Sequence, residues 1–149
     1  MSQAQSRHRA GTGAHLSRAA MKVGVGQHTD KGRKAVNQDF HAACIPQGGA
    51  RASKGVVLAL ADGISSSNVS QVASEAAVRS FIDDYYCTSP TWSVKRSAQR
   101  VMAASNSWLH AQTLRSPYRY DKDQGYVCTL SVLVLRSATA HLFHVGDSR

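Results

Sequence analysis

Two acidic residues of the chain directly follow short apolar segments. Asp62 ends the run "VVLALAD" and precedes Gly63, and Asp147 follows Gly146 in "HLFHVGD". A buried strand holds its last residue rigidly at the edge of the core, and glycine lets the backbone approach a bound group closely. Asp-Gly is also a common turn dipeptide, so each pair alone is compatible with a simple turn. Their recurrence in the same context favours a site.

A third acid, Asp39, closes the triplet "NQD" just before another apolar segment. Three carboxylates at strand edges suit a hard cation such as Mg²⁺ or Mn²⁺ and not zinc. Two such ions about 3.5–4 Å apart share a water, lower its pKa and assist in-line displacement at phosphorus. Asp39 is also compatible with a simple Asx-type loop.

Strands and two long helices must position these acids. Alternation and β-branched residues predict strands, and Pro and Gly mark the breaks between them. The predicted strands are 22–29, 40–45, 56–61, 125–135 and 138–145, the last two forming a hairpin, with a polar loop at 30–39 and a flexible connection at 46–55. This order predicts an α+β fold with antiparallel sheets and not repeated βαβ units.

The two helices are predicted from capping and periodicity. Asn68 with Gln71 resembles a capping box, and Ser89-Pro90 suits the start of the second helix. Apolar and small residues then recur at helical spacing on one face of each helix. The predicted buried faces are Val72, Ala73, Ala76, Ala77, Ser80 and Phe81 in the first, and Val94, Ala98, Val101, Met102, Ser105, Trp108, Leu109 and Gln112 in the second.

Composition narrows the class of protein. A length of 149 residues suits one domain, and the three cysteines, without a CxxC pair, argue against a disulfide framework or a zinc site. The net charge of +9 is partly carried by residues 1–20, which we expect to form a disordered basic extension. The other basic residues are scattered without interleaved aromatics, which disfavours nucleic-acid binding. No apolar run suits a membrane span or secretory signal, so we expect a cytoplasmic protein.

Four segments in order resemble motifs of a known family. "GRKAVNQD", "ALADGISSS" followed by "ASEAAV", "GYVCTL" and "HVGDSR" are similar to successive motifs of the metal-dependent protein phosphatases, the PPM-type or protein phosphatase 2C family. The similarity is greatest to the phosphatase module that begins certain bacterial bifunctional serine/threonine kinase/phosphatase proteins. It covers about Val23 to the last residue, so residues 21–149 are identified as the N-terminal part of such a domain.

The resemblance implies a partial α-β-β-α sandwich whose two antiparallel sheets hold a binuclear Mg²⁺ or Mn²⁺ centre. It implies that Asp62 bridges the metals, that Gly63 offers its carbonyl, that Asp39 lies beside the metal-bound waters and that Asp147 serves a further metal site. The implied reaction is direct hydrolysis of phosphoserine or phosphothreonine in proteins. The implied partners in bacterial signalling are phosphoproteins and a fused or cognate Ser/Thr kinase.

Two features depart from the family pattern. Many relatives have an arginine five positions before the first aspartate to hold the substrate phosphate, whereas this chain has Lys34 there and Arg33 one place earlier. A one-residue loop difference would favour Arg33, which grips phosphate bidentately. Relatives also continue beyond the position of Arg149 and supply further aspartates, so we expect this piece alone to be weak or inactive.

Other polar residues have simpler interpretations. Ser65, Ser66 and Ser67 have no base placed to activate them, so we interpret them as helix-capping residues. His41 and His144 flank the acids, but a hydrogen-bonded histidine is the default. A catalytically incomplete regulatory or phosphoprotein-binding relative is the alternative to a phosphatase.

Overall fold

The computed structural model describes residues 21–148. Four strands form one antiparallel sheet in which they follow one another in sequence order, and the two long helices lie between the second and the third strand in the sequence. This architecture confirms the predicted α+β class. The elements are β1 (Asp39–Cys44), α1 (Gly48–Lys54), β2 (Val56–Asp62), α2 (Ser70–Cys87), α3 (Val94–Arg115), a 3-10 helix (Lys122–Gln124), β3 (Leu130–Arg136) and β4 (Thr139–Val145).

The core lies between one face of the sheet and the helices α2 and α3. Alternate residues of the central strands point into it, because side chains of a strand alternate between the two faces. Phe81 and Tyr85 of α2 are fully buried there, and their rings stack with centroids 5.7 Å apart. The sheet contributes mainly Val57, Ala59, Ala61, Leu130, Val132 and Val134.

The other face of the sheet is only partly covered. A cavity of about 340 Å³ lies on this face between residues 25–28 and side chains that include His41, Leu58 and Leu142. Leu142 of the edge strand β4 is 71% exposed. The edge strand β4 therefore presents an exposed apolar side chain on this face.

Two predictions for the first third of the chain are wrong. Residues 22–29 form no strand, since none of the described strands pairs with them. Residues 46–55, predicted as a flexible connection, contain the helix α1. This helix ends at Gly55, whose φ of 82° and close approach to the Leu135 carbonyl exclude a side chain. The predicted extension at 1–20 lies outside the described residues.

A buried lysine anchors the end of α1. Lys54 donates hydrogen bonds from Nζ to Thr88 Oγ1 (2.5 Å), the Ser89 carbonyl (2.7 Å) and Ser97 Oγ (3.1 Å). The Tyr85 hydroxyl in turn donates to the Lys54 carbonyl at 3.0 Å. The ammonium lies at the C-terminal end of α2, where the helix dipole favours positive charge. These contacts tie the end of α1 to the connection between α2 and α3.

The helix starts and faces also differ from the predictions. The cap residue of α2 is Val69, without a side-chain hydrogen bond, and not Asn68. The helix α3 begins after Ser93, whose Oγ accepts a hydrogen bond from Arg96 N, four residues later than predicted. The long helices themselves are confirmed, because each carries a buried stripe. The stripe of α2 is shifted, so that Val72 is 50% exposed while Ser74, Val78 and Tyr85 are buried.

Trp108 of α3 is 48% exposed and not part of the core, contrary to prediction. None of the helices within residues 21–148 has the length and apolar character needed to span a bilayer.

Candidate active site

Two of the predicted acids are direct neighbours across the sheet. Asp39 begins β1 and Asp62 ends β2, and the antiparallel register places them opposite each other. Paired residues of adjacent strands project to the same face. The acids therefore lie on the face of the sheet that carries Leu60 and His41, away from the helices. The local sequence explains this placement, since a polar loop precedes Asp39 and another follows Asp62.

Thr129 fixes the backbone of Asp62. The Thr129 amide donates to the Asp62 carbonyl at 2.8 Å, and the Asp62 amide donates to Thr129 Oγ1 at 3.0 Å. Thr129 is 8% exposed. A doubly bonded backbone holds the carboxylate of Asp62 in a restricted position at the sheet edge.

Gly63 is needed because the chain turns against the start of α2. A Cβ at Gly63 would lie 2.8 Å from both the Cβ and the carbonyl oxygen of Ser70. The Gly63 amide donates to the Gln38 carbonyl at 3.1 Å. The Gln38 side chain donates from Nε2 to the carbonyls of Ile64 (3.2 Å) and Ser67 (3.1 Å) and to Ser70 Oγ (2.8 Å). Gln38 thus clamps the loop that follows Asp62.

The tip of β4 approaches the same place. Gly146 has φ of 111°, and a Cβ there would lie 2.6 Å from the Thr129 Cγ2 atom. Thr129 Oγ1 and Ser148 Oγ share a hydrogen bond of 2.9 Å. Thr129 therefore contacts the residues on both sides of Asp147, Gly146 and the Ser148 hydroxyl, as well as the backbone of Asp62.

The electrostatics of Asp62 reflect its partial burial and the two neighbouring acids. Partial burial raises the pKa of the Asp62 carboxyl above its ordinary value, and the hydrogen bond and charge of Asp39 raise it further. Lys34 lowers this pKa, and the charge of Asp147 adds a smaller increase. Burial, followed by the charge of Asp62, raises the pKa of the Cys128 thiol to about 11. For Asp62, burial and the neighbouring carboxylates together outweigh the effect of Lys34, so the charged form of this carboxyl is disfavoured.

Of the two candidate phosphate-binding cations, Lys34 contacts the site. Its Nζ donates to Ser65 Oγ at 3.3 Å and to Gln38 Oε1 at 3.4 Å. Its charge also acts on Asp62. Arg33 is exposed in the preceding turn.

The donor chemistry fits a hard divalent cation only in part. Asp62, Asp39 and Asp147 offer carboxylate oxygens, and Gly63 adds a backbone carbonyl beside them, which are ligand types preferred by Mg²⁺ and Mn²⁺. However, no three His, Cys, Asp or Glu side chains in the described part of the chain are disposed as a complete metal-ligand group. Asp62 and Asp39 lie opposite each other in the β1–β2 register, and Asp39 raises the pKa of the Asp62 carboxyl. The fit thus rests on ligand type and excess negative charge.

The remaining polar residues have structural contacts. Ser67 Oγ accepts from the Val69 amide at 3.1 Å and donates to the Gly125 carbonyl at 2.7 Å. Ser66 Oγ donates to the Asp123 carbonyl at 2.7 Å. These serines tie the loop before α2 to residues 123–125 and do not act as nucleophiles in any arrangement seen here.

The sequence analysis did not identify the contacts made by Gln38 and Thr129. Neither residue carries a local signal, because each acts through partners more than 25 positions away. The triplet "NQD" preceding a strand was the only feature that could have drawn attention to Gln38.

Comparisons with known proteins agree with this geometry. Residues 27–149 match the sequence profile of the family described as Protein phosphatase 2C. The fold is similar to the crystal structure of the Mycobacterium tuberculosis serine/threonine phosphatase PstP/Ppp, with a TM-score of 0.58 and 25% sequence identity. That similarity covers 78% of this chain but 43% of the mycobacterial chain, so this chain spans less than half of the solved relative. No curated protein matches the chain.

The profile match covers most of the chain and includes each acid of the cluster, from Asp39 through Asp62 to Asp147. This chain belongs to the protein phosphatase 2C family and represents part of its domain.

Proposed function

We propose that this chain is the N-terminal part of a metal-dependent protein serine/threonine phosphatase. The observation that carries the proposal is the meeting of Asp39 and Asp62 at one sheet edge, with the charge of Asp147 acting on Asp62. The family supports phosphatase chemistry, and the solved relative is described as a serine/threonine phosphatase. The substrates would be proteins that carry phosphoserine or phosphothreonine.

In this proposal Asp62, Asp147 and the Gly63 carbonyl would hold Mg²⁺ or Mn²⁺, and Asp39 would lie beside the bound water. A pair of such ions supplies an acidified water and neutralises charge on the phosphoryl group. Asp39 would accept a proton at its carboxylate, because it lies directly opposite Asp62 at the strand ends and so beside the proposed metal.

Lys34 would orient the substrate phosphate. Its ammonium already reaches Ser65 and the charge of Asp62, whereas Arg33 lies in the exposed turn before it. A lysine attracts phosphate as a point charge, so it would hold the anion without the bidentate geometry of arginine. We therefore assign phosphate binding to Lys34.

The biological setting is proposed on the same basis. Phosphorylated proteins in the cytoplasm would be the substrates, and a fused or cognate Ser/Thr kinase would produce them. The reaction consumes a phosphomonoester, so a protein kinase is the class of enzyme that must supply the substrate.

The test measures phosphate release from a phosphothreonine peptide. It uses this chain and the longest natural protein that contains it, here called the parent protein. We expect the parent protein to release phosphate with Mn²⁺. EDTA or the substitution Asp62→Asn should abolish this release. Asp83→Asn, on the exposed side of α2, is the control and should not change it. We expect little release from the isolated chain. Turnover by the parent protein that survives EDTA and Asp62→Asn would contradict the proposal.

The alternative function is binding of phosphoproteins without hydrolysis. It is favoured by one observation, the incomplete metal-ligand group among residues 21–148. The two functions differ in the parent protein, because a regulatory relative would bind the phosphothreonine peptide with Mn²⁺ present and release no phosphate.

A further inference from the structure

His144 connects the last two strands to the turn that carries Asp147. Its Nδ1 lies 2.8 Å from Ser131 Oγ of β3, and its Nε2 lies 2.8 Å from the Gly146 carbonyl. Ser131 and His144 are paired in the β3–β4 register, so both side chains lie on one face of the sheet. This is the same face that carries Asp39 and Asp62 at the neighbouring strand ends.

The two contacts determine the proton arrangement of the ring. A carbonyl oxygen can only accept, so Nε2 must carry a hydrogen and donate it to Gly146. In the neutral ring Nδ1 is then the acceptor, and the Ser131 hydroxyl donates to it. The ring therefore has one defined tautomer and one orientation. A histidine that positions a neighbouring group needs both.

A hydrogen bond to the Gly146 carbonyl fixes the orientation of a flexible peptide group. Gly146 has φ of 111°, in a region that L side chains rarely adopt, and its α-carbon packs against Thr129. A glycine in this region has many alternative conformations, so its peptide plane needs external support. The direction of that plane sets the direction in which the next residue, Asp147, leaves the strand.

We propose that His144 is a positioning residue that fixes the Gly146–Asp147 turn through its Nε2–H, with Ser131 holding the ring. The inference rests on the proposed function only in assigning Asp147 a role at the metal. The positioning itself is a property of the hydrogen bonds between His144, Ser131 and Gly146.

Two isosteric substitutions separate the two bonds. Glutamine places its side-chain nitrogen near the position of Nε2, whereas asparagine reaches only the position of Nδ1. His144→Gln therefore keeps the donor to Gly146, and His144→Asn keeps only the contact to Ser131. His141→Gln is the matched control, because His141 lies on the same strand but is paired with Val134 on the opposite face.

The first measurement uses NMR on the parent protein. At pH 8, we expect the ring nitrogens of His144 to show a proton on Nε2. We expect order parameters of about 0.85 at Gly146 and Asp147 in the wild type, the His144→Gln variant and the control, and values below about 0.6 in His144→Asn. A proton on Nδ1, or equal order in the glutamine and asparagine variants, would overturn the inference.

The second measurement is the binding of Mn²⁺ alone to the parent protein, followed by electron paramagnetic resonance. We expect His144→Asn to weaken binding by about tenfold, while His144→Gln and His141→Gln stay within about twofold. Equal weakening by both His144 substitutions would overturn the positioning role. Absence of Mn²⁺ binding in the wild type would count against the proposed phosphatase, whereas the NMR result would still decide the role of His144.

Discussion

At the scale of single residues, Asp62 carries a charge that the metal-free protein disfavours. Its raised pKa means that the native state binds this proton more tightly than the unfolded state does. The free energy of unfolding therefore falls as pH rises above about 3.8, the ordinary value, until the native carboxyl has also ionised.

Asp62→Asn removes the ionisable carboxyl and with it this loss of stability at neutral pH. We expect the variant to melt roughly 1–3 °C above the wild type at pH 7 without metal, a small effect because solvent screens a partly exposed carboxyl. The difference should vanish below pH 3.8, where both states are protonated. Thermal melts followed by circular dichroism measure it. A variant less stable than the wild type at pH 7 would show that burial and the neighbouring acids do not disfavour the charged form of Asp62.

Lys34 and Arg33 give a second prediction at this scale. We expect Lys34→Ala in the parent protein to raise KM for a phosphothreonine peptide about tenfold, because a charge-assisted contact to the phosphate is lost. Lys34→Arg should preserve binding, and Arg33→Ala should change KM less than twofold. Steady-state kinetics measure all three. A larger effect at Arg33 would transfer phosphate binding to the arginine.

At the scale of elements, Thr129 holds the ends of β2 and β4 together. Its hydroxyl accepts from the Asp62 amide and bonds Ser148, and its methyl packs on Gly146. Thr129→Val keeps the shape but leaves the Asp62 amide unpaired, so we expect a loss of about 1–3 kcal/mol in the free energy of unfolding.

Thr129→Ser is the matched variant, because it keeps the hydroxyl and removes only the methyl. We expect it to lose less stability than the valine variant, and Thr139→Val in the exposed start of β4 to be close to neutral. Urea denaturation gives the three values. If serine were the more damaging substitution, packing on Gly146 and not hydrogen bonding would connect the two tips.

The elements also show what sequence can predict here. The strands at 40–45, 56–61 and 138–145 were predicted nearly to the residue, because alternation and turn residues are local signals. The positions of the acids could be predicted from these strands, since Asp62 and Asp147 lie at strand ends. Helix α1 was missed because the contacts that anchor it are not local: Lys54 bonds Thr88, Ser89 and Ser97, which lie more than 30 positions away.

The strand predicted at 22–29 failed for a related physical reason. An alternating pattern predicts a strand only if another strand supplies backbone hydrogen bonds, and no described strand pairs with this segment. The same dependence on long-range partners hid the loop clamp made by Gln38.

At the scale of the whole molecule, the sheet has one face packed on helices and one largely open. Leu142 on the edge strand is 71% exposed, and Val145 is 58% exposed. An exposed apolar edge promotes pairing with other chains. We expect the isolated chain to self-associate at micromolar concentration and Leu142→Lys to reduce the associated fraction several-fold, with Val72→Lys on α2 as the control. Analytical ultracentrifugation measures the associated fraction of each variant. Equal effects of Leu142→Lys and Val72→Lys would show that self-association does not occur through the edge strand.

The central claim is that Asp62 and Asp147 lie close enough to serve one divalent cation. Anomalous diffraction from crystals of the parent protein grown with Mn²⁺ tests it most directly. We expect a manganese peak in coordination contact with the Asp62 carboxylate and the Gly63 carbonyl, on the side facing Asp147. Crystals grown in saturating Mn²⁺ with no peak between Asp62 and Asp147 would contradict this expectation.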